Sequence, residues 1–567
     1  MNLRTTLVSF LLLVLLIGCK PAEQPTVVTD ANPTAETATA VVADDPIELM
    51  ETEGLLQRIS TLSSDEFGGR APMSEGEKLT LDYLEAQFRE MGLDPMFGDS
   101  YRQPVPLVAI EASGDLTLGI SDIEGKPVMS YANGPESAVW TTRVVEKTGL
   151  DNSELVWAGY GIIAPEYGWN DYDGLDVTGK TVIVLVNDPG YATQNPELFN
   201  GNAMTYYGRW DYKFDEAARQ GAAGAIMIHD RLPAAYGWPT VINSWTGRKF
   251  GMVLPDKGAK LASLESWITR DSAEALFTKA GLNLDEMYEK AHQRGFKPVA
   301  MGLNASVALV NNTETINSRN VAAILRGSEA PDEIFIYMAH WDHFGTDPKL
   351  EGDQIYNGAL DNASGTAALL EIARAYSALP QAPRRSVLFL SVTAEEQGLL
   401  GSLYYAANPL FPLANTVGGI NIDGMNNFGS TRDITVVGLG MSDLDNYLAA
   451  AAAAQERVVE GDREAEKGFY YRSDHFELAK EGVPMLYPSG GYDDREKGVA
   501  YGMEKAEEYI ADDYHRVSDE YDLSWVVSGA LEDMEMYFKT GLDIANSDDW
   551  PNWKEGTEFR ATRDAQR

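Results

Sequence analysis

The apolar positions of this chain change period along its length. Between residues 46 and 91 they fall three and four apart (Leu55, Ile59, Leu62, then Leu79, Tyr83, Leu84, Phe88, Met91). That spacing predicts two amphipathic helices around a Gly/Pro-containing turn over 64–72. From about 139 to 310, glycine-punctuated β-type runs over 156–162 and 175–185 are followed by a helical stretch feeding a further β run, 217–228. These predict a small, strand-rich inserted unit. From about 316 onward, short apolar runs at 334–338, 387–392 and 419–422 alternate with helical patterns at 363–376, 444–454 and 526–544. Alternation of this kind predicts an open α/β sheet covered by helices. The predicted division is 1–18 leader, 19–46 tether, 47–138 first part of the main domain, 139–311 insert, 312–545 main domain and 546–567 tail. The tail, with Trp550 and Trp553, is expected to be a surface strap. There is no internal repeat, and no apolar stretch after residue 18 is long enough to span a bilayer.

The first residues are read as a signal and not as fold. Arg4 precedes an uninterrupted apolar stretch over 10–17 and then Gly18-Cys19, the layout of an export signal. Leu16-Ile17-Gly18-Cys19 resembles a bacterial lipobox, which implies cleavage before Cys19 and its lipidation. Lys20, where inner-membrane retention would call for Asp, points to the outer membrane. Residues 20–46, rich in Pro, Ala, Thr and Val, read as an irregular tether in the cell envelope. Cys19 is the only cysteine, so no disulfide can form within the chain.

With 567 residues and 44% apolar content, the chain can build several cores. Its 86 acidic against 45 basic residues leave a net charge of −41. Nucleic acids and anionic membrane surfaces need Lys/Arg-rich patches, so both are excluded as partners. The charge is read first as a device for solubility.

Chemistry gathers where the β runs end. His340 and Asp342 follow the first run, and Asp361 lies in Leu360-Asp361-Asn362-Ala363-Ser364-Gly365. Glu395 and Glu396 follow the second run, Asp423 the third, and His515 stands after Tyr514. Two imidazoles and several carboxylates suit a divalent metal such as zinc, and open α/β sheets collect ligands at strand carboxyl ends. Singly, each motif has a plain structural reading: a turn, a solvated acidic face, a helix cap at Asn362 or Ser364. Jointly they predict a metal-dependent hydrolase. His229 and His292 read as a strand end and a helix surface. Ser473-Asp474-His475 is not a serine triad, because contiguous residues do not adopt triad geometry.

These motifs, in this order, resemble the M28 family of co-catalytic zinc aminopeptidases, specifically secreted members with a protease-associated (PA) insert. The resemblance covers about residues 50–545. It implies a mixed, mostly parallel sheet sandwiched by helices, the zinc exopeptidase fold, interrupted by a β-rich PA domain. It also implies two Zn2+ per chain, with His340 on one ion, His515 on the other, Asp361 bridging, and Glu396 and Asp423 each completing one shell. Glu395 is then the general base and Asp342 orients His340. His475 is placed near the substrate or intermediate, and Tyr470, Tyr471, Tyr487 and Tyr514 are unranked candidates to assist an oxyanion. Arg70 is expected to pair with a buried acid and His343 to close a turn. The expected activity is removal of N-terminal residues from peptides with a free amino terminus, by an enzyme lipid-anchored through Cys19. Rival expectations are a glutaminyl-peptide cyclase or a carboxypeptidase of the same fold, or a non-enzymatic PA-domain surface receptor.

Overall fold

The computed structural model describes residues 46–567. The leader, Cys19 and nearly all of the tether lie outside the described residues. No helix among them is long and apolar enough to cross a membrane.

The main sheet is mixed. The long strand Val299–Leu325 runs antiparallel to Arg385–Val392, which pairs in parallel with Ala330–His340. That strand pairs in parallel with Thr416–Asn421, which in turn pairs with Met485–Gly490. Asp433–Val437 then adds antiparallel and Val458–Gly461 parallel. Because side chains alternate along a strand, each run feeds two cores. Ala323, Phe335, Tyr337, Ala339, Val387 and Phe389 pack under the helices Thr52–Leu62, Glu75–Glu90, Gly365–Ser377 and Ser528–Asn546. Ile324, Ile336, Met338, Leu388, Leu390 and Val392 face the other way, against Tyr405 and Leu478. The strands are apolar throughout because both faces are covered.

The insert has a sheet of its own. Lys147–Trp157, Thr181–Leu185, Gly224–His229 and Leu264–Thr269 pair in parallel, with Ser137–Trp140 antiparallel at the edge. Ile183, Leu185, Ile226 and Ile228 face one core and Val182, Val184, Ala225 and Met227 the other. The first of these cores also takes in Leu118, Ile120 and Tyr131, from strands that precede the boundary expected at 139. Those strands turn back on residues 303–306, so the packing of this layer begins at Leu118. Two strands join the layers: Val299–Leu325 is 27 residues long and pairs with insert strands at its start and main-sheet strands at its end, and Arg102–Ser113 pairs both with it and with the insert strand Arg248–Met252.

The tail is more deeply seated than a surface strap. Trp553 is buried and donates to the Gly482 carbonyl, and buried Arg563 donates to the Thr416 carbonyl.

Candidate metal centre

Three parallel strands end at one edge. His340 lies opposite Val392 and Met338 opposite Asn421, so His340, Glu395, Glu396 and Asp423 emerge together. Asp361 joins them from the turn that opens the helix Gly365–Ser377. His515 comes from the loop after the helix Val499–Asp512.

The carboxylate of Asp361 divides the group. Its Oδ1 lies 3.2 Å from His340 Nε2, and its Oδ2 lies 3.2 Å from His515 Nε2. His340 Nε2 also lies 3.2 Å from Asp423 Oδ1, and His515 Nε2 lies 3.3 Å from Glu396 Oε2. Each imidazole therefore has a carboxylate of its own and shares Asp361. The Glu395 carboxylate lies within 4.8 Å of the donor atoms of His340 and Asp423.

Charge makes this arrangement a cation site. Burial opposes protonation of His340, but Glu395, Asp361 and Asp423 outweigh it and push its pKa well up. His515 goes up to about 9, where Glu396 and Asp361 overcome burial. Burial, with Glu396 and Asp423 nearby, raises Glu395 well above the carboxylate range. Four acids crowd two imidazoles, and among the described residues no Lys or Arg ion pair reaches Asp361, Glu395, Glu396 or Asp423. Hard oxygen and imidazole donors converging in this way fit divalent zinc.

A second ring of residues holds these ligands. His340 Nδ1 faces the Asp342 backbone carbonyl at 3.2 Å, while the Asp342 carboxylate is 3.9 Å away. That carboxylate instead accepts from the Glu395 N–H at 3.1 Å. The expected carboxylate–imidazole contact is thus replaced by a carbonyl, and Asp342 positions the Glu395 backbone. His343 contacts Glu396 Oε1 at 2.6 Å, so it orients a predicted ligand and does more than close a turn. Ser473 donates to Asp423 Oδ2 at 2.6 Å, and the Tyr487 hydroxyl lies 3.3 Å from the same oxygen. Tyr514 stacks on His515 with ring centroids 3.8 Å apart. Tyr487 and Tyr514 therefore flank the centre. Tyr471 donates to Glu558, and Tyr470 packs against Phe559.

Arg70 and His475 sit differently from expectation, and Asp519 joins the site without one. Buried Arg70 finds no acid as hydrogen-bond partner; it donates to the carbonyls of Leu62, Trp341, Asn357 and Gly358. It reaches them from a turn in which Gly69 has φ +69° and a Cβ would strike the Tyr356 carbonyl at 2.5 Å. His475 has no accessible surface and lies between Tyr470 and Tyr487, at 4.6 and 4.7 Å. It backs Tyr487 and does not reach the cleft. Asp519, unflagged by any motif, accepts from the N–H groups of Leu360 and Asp361 at 2.9 and 3.1 Å. Its only signal is proximity in sequence to His515. His229 ends a strand and His292 caps a helix in the insert.

The match to known families falls on this centre. Residues 320–538 match Peptidase family M28. That segment resembles an M28 peptidase domain. Within it lie all five predicted ligands and Glu395. Aminopeptidase NAALADL1 of Rattus norvegicus is 38% identical over 137 residues, which cover 23% of this chain and 17% of that protein. A probable zinc metalloprotease of Pyrenophora teres f. teres (strain 0-1) is 26% identical over 226 residues, 35% of this chain and 47% of that one. The matched regions span less than half of these curated relatives. Among solved structures, an aminopeptidase from Aneurinibacillus sp. strain AM-1 aligns over 88% of this chain and 95% of its own, at 20% identity and a TM-score of 0.48.

Proposed function

We propose that the chain is a zinc-dependent aminopeptidase that releases N-terminal residues from peptides outside the cytoplasm. The observation that carries this reading is Asp361, each of whose oxygens meets a different histidine backed by its own acid. His340, Asp361 and Asp423 would hold one zinc ion, and His515, Asp361 and Glu396 a second. Zinc bound there supplies Lewis acidity and lowers the pKa of water.

The chain's own residues do the rest. Glu395, whose carboxylate lies within 4.8 Å of the donor atoms of His340 and Asp423, takes a proton from the attacking water and returns it to the leaving amine. Asp342 fixes Glu395 through its backbone N–H. Ser473 and Tyr487 occupy Asp423 Oδ2, so that Oδ1 stays turned toward His340. The acids around the site hold the substrate's free ammonium group. With the Tyr487 hydroxyl committed to Asp423, Tyr514, stacked on His515, is the candidate to donate to the developing oxyanion.

The test pairs zinc content with hydrolysis of aminoacyl p-nitroanilides. Two ions per chain, cleavage of free-amine substrates, none of N-acetylated ones and loss on chelation are expected. Glu395→Gln should keep its zinc and lose about 10²–10⁴ in kcat; full activity in that variant refutes the mechanism. A single ion with cyclisation of N-terminal glutamine would point to a cyclase instead.

The lipobox-like start supports a lipid anchor at Cys19, toward the outer membrane. Cys19→Ala should move the protein from the membrane pellet to the soluble fraction. A variant that stays in the pellet removes the anchor from this reading.

A further inference from the structure

Glu395 and Glu396 stand in a loop that leaves the strand Arg385–Val392 and enters the helix Leu400–Ala407. The ladder between that strand and Val299–Leu325 stops at Val321 opposite Ser391. Beyond it the chain turns away, and the side chain of Asn320 takes over from the ladder. Its Oδ1 accepts from the Thr393 N–H at 3.1 Å. Its Nδ2 donates to the Gly401 carbonyl at 2.9 Å and to Gln103 Oε1 at 3.0 Å. The Gly401 N–H in turn donates to the Thr393 carbonyl at 2.9 Å. Thr393 and Gly401 are thereby brought together, and Asn320 spans the neck of the loop between them.

The neck is closed against resistance. Ala394, fully buried, has φ +54°, a left-handed conformation that a residue with a Cβ keeps only when its surroundings enforce it. The Leu400 N–H donates to the Ala394 carbonyl at 3.0 Å, and Ala394 and Leu400 pack with Leu107 and Ile316. Thr393 Oγ1 lies 2.6 Å from Ser318 Oγ, which donates to Glu77 Oε1 at 3.1 Å. Ser318 and Asn320 alternate onto one face of their strand; the first holds the Thr393 hydroxyl and the second its backbone. All three have no accessible surface, so a donor or acceptor left unmet there finds no water to replace its partner. Glu395 follows the strained residue directly, and its own N–H donates to Asp342 at 3.1 Å. Its direction is therefore set by Asp342 on one side and by the neck on the other.

We propose that Asn320 is a positioning residue for Glu395: by fixing both ends of the loop 393–401 it sets the direction in which that carboxylate meets the centre. A misplacement of about 1 Å in such a group costs on the order of 10²-fold in rate, and a buried amide that holds one backbone group at the entry and one at the exit removes that freedom. The inference rests on the aminopeptidase reading, in which Glu395 carries the proton. It adds that the strand Val299–Leu325, which supplies none of the metal-centre residues and runs on into the insert, helps to set the geometry of proton transfer.

The test separates kcat from KM on aminoacyl p-nitroanilides at full zinc load, and follows amide hydrogen exchange over 393–401 in the metal-free protein. Asn320→Ala should lose about tenfold or more in kcat with KM within about twofold of wild type. Its amides over 393–401 should exchange about tenfold or more faster than those of the wild type. A variant that unfolds earlier yet keeps wild-type kcat confines Asn320 to packing and overturns the proposal. Asn320→Asp copies the amide only while its carboxyl is protonated, so its kcat relative to wild type should be higher at low pH than at high pH; a ratio that does not move with pH overturns it. If Asn320→Ala does not fold, that second variant and the wild type itself carry the test: wild-type amides of Thr393, Leu400 and Gly401 that exchange as fast as an open loop show that the neck is not closed. A wild type inactive on every free-amine substrate sinks the aminopeptidase reading, and exchange in wild type and variant then decides the neck by itself.

Discussion

His475 lies inside the segment that matches Peptidase family M28, with no accessible surface, and burial pushes its pKa down to about 3. An unfolded histidine titrates near 6.5. Between those values the unfolded chain binds a proton that the folded chain refuses, so stability rises with pH across the window and is lost as pH falls from about 6.5 toward 3. At pH 5 the loss from this one group is about 2 kcal/mol. His475→Phe fills the same slot between Tyr470 and Tyr487 without a titratable nitrogen. Urea unfolding at pH 7 and pH 5 should show the wild type losing about 2 kcal/mol more than the variant over that interval. Parallel losses would mean that another group carries the acid sensitivity. His515 has the opposite bias, up to about 9, because it faces carboxylates where His475 faces rings. One residue type is thus held neutral in the packing and drawn toward positive charge at the centre.

At the level of elements, the centre depends on where strands stop and one helix starts. Asn362 ties two of these ends together. Its Oδ1 accepts from the N–H groups of Gly365 and Gly424 at 3.0 and 2.9 Å, and its Nδ2 donates to the Ile422 carbonyl at 3.0 Å. Asp361 and Asp423, one residue from Asn362 and Ile422, are thereby fixed to each other. A Cβ at Gly365 would strike Asn362 Oδ1 and come within 2.6 Å of the Ile422 carbonyl. Gly365→Ala should cost about 1–3 kcal/mol in unfolding free energy and lower zinc retained on dialysis, since the clash bears on both acids. Normal zinc retention in a destabilised variant would limit Gly365 to packing. The strand ends were legible in the sequence because parallel strands buried on both faces read as apolar runs, and an acid or histidine after each run stands out. Arg70 and Asp519 were not legible in the same way. Their partners are backbone carbonyls and N–H groups far along the chain, which carry no side-chain signature. The carbonyl in place of the Asp342 carboxylate was hidden too, because a two-residue spacing does not say which oxygen faces the imidazole.

Over the whole molecule, the insert and the main domain are coupled by two strands, Val299–Leu325 and Arg102–Ser113, and by the contacts of Tyr206 with Tyr471 and Phe476. Ser113 stands directly opposite Val310 in the sheet, so residues 114–309 leave and re-enter the main sheet at neighbouring points. Replacing them by Asn-Gly would close a two-residue hairpin of the favoured type and leave the strands that carry His340, Glu396 and Asp423 intact. The boundary matters: a cut at 139 would leave Leu118, Ile120 and Tyr131 without the core they pack in. The excision also strips Tyr206 from Tyr471 and Phe476, with which its ring lies at 6.3 and 5.3 Å. The shortened chain should therefore fold with a lower unfolding midpoint, retain zinc and hydrolyse free-amine substrates. Its kcat/KM across peptides from dipeptide to decapeptide should flatten, because the insert that packs through Tyr206 on the segment around Ser473 and His475 is gone. A length profile identical to that of the full chain would show that the insert does not bound the cleft. A shortened chain that unfolds in buffer would show that the shared strands, and not the main sheet alone, carry the stability of both halves.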